Sequence, residues 1–81
     1  MERVSREFYV LSRMHEAGMV SEERATSPQA IAELTNIDMN AIAGILNTLE
    51  QRQLVGKTTS DDNPRFYVSA LGIIIASAIY T

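Results

Sequence analysis

Ser27 to Val55 reads SPQAIAELTNIDMNAIAGILNTLEQRQLV, and the fold turns on this stretch. Ser27 before Pro28 is a helix start: the hydroxyl can accept a free backbone N–H, and proline fits the first turn, where its missing N–H costs nothing. Ala30, Ile31 and Leu34 give the short helix that follows one buried face. Asn36 sits where the chain must reverse, and asparagine tolerates the left-handed conformation better than most residues with a side chain. Ile37 is placed to plug the gap before the next helix, which Asp38 can cap. In that helix Ile42, Ile45, Leu46 and Leu49 recur at the spacing of one apolar face. The reading is two helices crossing through a short turn.

Downstream, Leu54 to Thr59 and Arg65 to Val68 are strand-like and are separated by SDDNP, a cluster of turn formers, so a hairpin follows. Helix-turn-helix plus hairpin resembles the winged-helix family, most closely the MarR-like and related small prokaryotic or archaeal transcriptional regulators. The resemblance covers roughly residues 27 to 72. It rests on Ile31-Ala32-Glu33, Leu46, Leu49-Glu50, Leu54-Val55, a polar wing from Lys57 to Val68, and Leu71-Gly72. It implies a mainly α winged helix-turn-helix of four helices and a small two-stranded β-hairpin wing. The helix-turn-helix spans about residues 27–53, the wing about 54–68 and the C-terminal helix about 70–80. It also implies double-stranded DNA as the partner. Winged helices serve as protein–protein modules too, so docking on another protein is the alternative function.

The 81 residues make one small domain, 1–81, near the size at which a lone core is marginally stable and a partner subunit helps. With no cysteine the chain has neither disulfides nor thiolate metal sites, which fits a reducing cytoplasm. The amino terminus MERVSREFYV lacks the apolar run of a secretory signal. The longest apolar stretch is about half the roughly 20 residues needed to cross a bilayer. The expected protein is cytoplasmic and does not enter the membrane. Seven basic residues against ten acidic ones give a net charge of −3, which works against phosphate neutralisation unless a few cations act locally.

From Val4 to Ala17, Phe8, Leu11 and Met14 recur at helical spacing with Val4 and His15 nearby, and Gly18 can end that first helix. Met19 to Thr26 is polar, with room for the short strand that many winged helices place before their second helix. Ser69 is a cap for a last helix from Ala70 to about Tyr80. No charged residue occurs from Phe66 to Thr81. Ile73, Ile74, Ile75, Ala76, Ala78 and Ile79 cover more of that helix than one core-facing stripe needs. The excess either closes the small core or forms a homodimer interface, with Phe8, Leu11, Ile75 and Ile79 as the contacts. Terminal helices commonly dimerise in the resembled family.

In a winged helix the second helix of the motif is the recognition helix. Its face away from the apolar stripe carries Asn40, Ala43, Gly44, Asn47 and Gln51. Asn and Gln can pair bidentately with adenine in the major groove, each good pair contributing roughly 1 to 3 kcal/mol of discrimination. Regulators of this kind often have Ser and Arg where Ala43 and Gly44 stand. A glycine inside a helix costs up to about 1 kcal/mol, so Gly44 is expected to permit close approach of a neighbouring helix or of a ligand backbone. Arg52, Lys57 and Arg65 are cations that can meet phosphates or a minor groove, while Asp61 and Asp62 at the wing tip would repel them. A solvated polar helix face and ordinary surface arginines remain the plain alternatives. Arg3, Arg6 and Arg13 alternate with Glu2, Glu7 and Glu16 as solvated pairs of little individual value.

Nothing in the sequence calls for catalysis or a cofactor. His15 is the only histidine, which makes a poor metal site. Asp61-Asp62 is a pair of adjacent turn carboxylates rather than a spaced acid and base. Gly18, Gly44, Gly56 and Gly72 are too scattered to cradle a phosphate.

Overall fold

The computed structural model describes residues 5 to 79, and for Ile79 the backbone alone. Val4 and Tyr80, the expected limits of the first and last helices, lie outside the described residues, as do Glu2 and Arg3. The order is α1 (Arg6–Glu16), a 3-10 turn (Glu22–Arg24), α2 (Pro28–Thr35), α3 (Met39–Gln51), β1 (Val55–Ser60), β2 (Asn63–Val68) and α4 (Ala70–Ile79). This is the expected mainly α architecture with a two-stranded antiparallel wing.

Each helix starts on a side-chain cap. The hydroxyls of Ser5 and Ser27 accept from the backbone N–H of Phe8 and Ala30, each at 3.2 Å. An Asp38 carboxylate oxygen accepts from Asn40 N–H at 3.0 Å. The Ser69 hydroxyl accepts from Gly72 N–H at 3.1 Å while donating to the Gln53 carbonyl at 2.7 Å.

Three helices also stop alike, on a left-handed residue followed by one whose N–H reaches back five positions. After α1 the left-handed residue is Gly18, and Met19 N–H donates to Met14 O at 3.1 Å. After α2 it is Asn36, at φ 58°, and Ile37 N–H donates to Ala32 O at 3.2 Å. After α3 it is Gln53, at φ 63°, and Leu54 N–H donates to Leu49 O at 2.9 Å. Met19 and Ile37 then turn inward and pack on the core, so each helix stop doubles as a core contact.

The core joins Val10, Leu11 and Met14 of α1 to Ile31 of α2 and to Ile42, Ile45, Leu46 and Leu49 of α3. Leu54, Val55, Phe66, Val68 and Ala76 close it from below. Thr35, not anticipated inside, is buried, and its hydroxyl donates to the Ile31 carbonyl at 2.8 Å, so nothing polar is stranded there.

Two expectations change. SDDNP is not a five-residue loop: Ser60 pairs with Asn63 and Thr59 with Pro64, leaving a two-residue turn of Asp61 (φ 52°) and Asp62 (φ 66°). Both are left-handed, as the twist of a tight hairpin demands. The strand expected between Met19 and Thr26 shrinks to a single bridge, with Thr26 N–H donating to Phe66 O at 2.9 Å and Phe66 N–H to Thr26 O at 2.8 Å. Val68 N–H donates to Met19 O at 2.7 Å. The segment therefore covers the otherwise open edge of β2.

The last helix seats close to the wing base. A Cβ on Gly72 would overlap the Leu54 carbonyl oxygen and press on Val68, so only glycine allows this approach. α4 buries Gly72 and Ala76, half-buries Ile73 and Ile75 against the core, and exposes Leu71 and Ile74. The expected dimer contacts differ in exposure. Leu11 is 0% exposed and has no surface for a second copy. Phe8 and Ile75 are half-buried on the core, and the side chain of Ile79 lies outside the described residues.

Candidate nucleic-acid interface

Asn40, Ala43, Gly44, Asn47 and Gln51 are all exposed along one side of α3, and the opposite side, Ile42, Ile45, Leu46 and Leu49, is buried. The core thus fixes the rotation of the helix and leaves the amide side outward. No neighbouring helix approaches Gly44: nothing lies within 4 Å of the place its Cβ would take. Its expected role inside the fold is thereby removed, and approach from outside is what stays open. Met39, the first residue of α3, is 37% exposed and continues this surface. Glu50, half-buried at the flank, is the only charged residue within the helix.

The three proposed cations do not converge. Arg52 is exposed at the end of α3. Lys57 pairs with Phe66, and Thr58 with Arg65. Adjacent strand residues point to opposite faces, so Lys57 and Arg65 sit on opposite faces of the wing. Arg65 shares its face with Asn63 and Tyr67. Its Nη1 donates to the Ala25 carbonyl at 3.3 Å, which holds the guanidinium toward the start of α2.

Arg65 and Asn63 line a shallow hollow of about 330 Å³ with Pro64, Ser27, Pro28, Gln29 and Met39. The hollow joins the first turns of α2 and α3 to the outer part of β2, and Met39 is its one residue on α3. Sequence reading missed Gln29 and Asn63 as members. Their only signal was position: two residues past a helix cap and two before the wing arginine. Asp61 and Asp62 are exposed at the far tip, where Asn63 Nδ2 donates to the Asp61 carbonyl at 3.1 Å. On α1, Arg13 pairs with Glu16 at 3.1 Å, away from this surface.

Among the described residues no group of three or more His, Cys, Asp or Glu could hold a metal ion, and no helix is long and apolar enough to cross a membrane.

No family model and no curated protein matches this chain. Solved structures do. The DNA-binding TubR fragment from Clostridium botulinum superposes with a TM-score of 0.82 at 16% identity, over 98% of this chain and 99% of that one. TubR from Bacillus megaterium pBM400 gives 0.81 at 18% identity, over 98% and 90%. MepR from S. aureus, solved as a DNA complex, gives 0.76 at 14% identity, over 95% of this chain and 62% of MepR. At such identities the likeness speaks for the backbone: the fold is the winged helix-turn-helix.

Proposed function

We propose that this chain is a cytoplasmic double-stranded DNA-binding protein, a transcriptional regulator of the MarR-like kind acting as a homodimer. The observation that carries the reading is the outward side of α3, where exposed amides stand with no role in the core. A helix with an exposed amide side, its first residue Met39 lining the Arg65 hollow, fits a major groove flanked by phosphates. Two of the structures sharing the fold are described as DNA-binding or DNA-bound. The homodimer is supported by α4, where Ile74 is 64% and Leu71 45% exposed on a helix without charge. Dimerisation would cover that apolar stripe.

A second reading, a winged-helix module that docks on another protein, is favoured by the net charge of −3 and by the exposed Asp61-Asp62 tip. Titration of the protein with random duplex DNA at low salt separates the two. Under the DNA reading, binding is measurable and Asp61→Asn with Asp62→Asn tightens it, most visibly where screening is least. No detectable binding by either form rejects the DNA reading.

A further inference from the structure

Guanine is read in the major groove chiefly by Arg or Lys at O6 and N7. Adenine is read by an Asn or Gln amide at N6 and N7, and the C5-methyl of thymine by an apolar group such as Ala. The outward side of α3 holds Asn40, Asn47, Gln51 and Ala43, and the helix contains no cation. The geometry points to A·T base pairs as what this helix selects, with Asn40 and Asn47 on adenines and the Ala43 methyl on a thymine between them. The inference rests on the DNA reading above and adds the chemistry of the site.

Asn40 and Asn47 lie two helical turns apart, about 10 Å along the axis at ~1.5 Å per residue, which spans about three base-pair steps of ~3.4 Å. Each half-site should therefore contain a run of about four A·T pairs, the end pairs set by Asn40 and Asn47. Short asparagine side chains reach base edges only if the helix backbone lies deep in the groove. Ala43 and Gly44, between them on the same exposed side, leave that depth open, and the missing side chain at Gly44 spares no clash within the protein. Arg52, Lys57 and Arg65 lie outside α3, so no cation on this helix competes with the amides by reading guanine.

The test selects duplexes from a randomised pool with the unmodified chain at low salt. The best duplex is then remade with uracil for thymine, removing the methyl, and with 7-deazaadenine for adenine, removing N7. The expected result is A·T enrichment at the central half-site positions and a loss of roughly 5- to 100-fold with 7-deazaadenine. A smaller loss should accompany uracil. Asn47→Ala should bind the selected duplex more weakly and respond less to 7-deazaadenine. Selected half-sites centred on G·C, or indifference to both analogues, would overturn the inference while leaving DNA binding intact. Failure to retain any duplex would remove the DNA reading and this inference together.

Discussion

α3 and α4 both turn an uncharged side to solvent, and the two sides are chemically opposite. On α3 the outward residues are amides with Ala43 and Gly44 between them; on α4 they include Leu71 and Ile74. Amides lose little in water and gain only against a patterned set of donors and acceptors, so the α3 side suits a ligand whose edge carries such a pattern. Aliphatic side chains gain by leaving water whatever they meet, so the α4 side suits permanent cover. Lack of charge therefore says nothing about a surface until polarity is added.

The largest effect expected from breaking this contrast is on assembly. Ile74→Glu should shift sedimentation from twice 9.0 kDa to 9.0 kDa. Ile75→Glu, which strikes the half-buried side of α4, should lower the melting temperature instead. Monomeric behaviour of the unmodified chain at high micromolar concentration would end the homodimer. Next come the amides: Asn40→Ala and Asn47→Ala should each cost about 1 to 3 kcal/mol on a selected site, and far less on random DNA. Equal losses on both DNAs would show that they do not read bases.

A finer test is Gly44→Ala. Because its Cβ would meet nothing within 4 Å, the substitution should stabilise the fold by up to about 1 kcal/mol. DNA affinity should nevertheless fall. A stabilised variant that binds as before would make Gly44 an accident of sequence rather than part of the interface. The smallest effect is on salt dependence. With Lys57 and Arg65 on opposite faces, only about two cations per subunit can share one phosphate track, so the log-log slope for a dimer should be about −2 to −4. Arg65→Ala should make it shallower by about 1 per subunit, and an unchanged slope would take the wing arginine off the phosphate track.

What could be read ahead of the structure was what local chemistry decides. Ser27-Pro28, Asn36 and Asp38 mark their helix ends because capping needs only neighbours along the chain, and the α3 stripe is plain because its apolar and polar residues alternate at helical spacing. Gln53 was not legible: its left-handed backbone follows from the turn into β1, not from any preference of glutamine. The edge cover formed by Met19 and Thr26 depends on β2, forty or more residues later. In α4 the run Ile73-Ile74-Ile75 has no polar partner to set a phase, so the sequence does not show that Ile74 rather than Ile75 is the exposed one. The opposition of Lys57 and Arg65 follows from the register, which needed the two-residue turn to be known.

The paired hydrogen bonds between Thr26 and Phe66 have a mechanical consequence. Thr26 is covalently next to Ser27, which caps α2, so the wing is clamped to the helix-turn-helix at Phe66 and projects from there as a cantilever. The amides of Thr26, Phe66 and Val68 should exchange with deuterium slowest in this region, with protection falling outward from Arg65 to Asp61. A load at the tip would bend the outer strands and leave α2 undisturbed, whereas one at the clamp would turn wing and helix as a single lever.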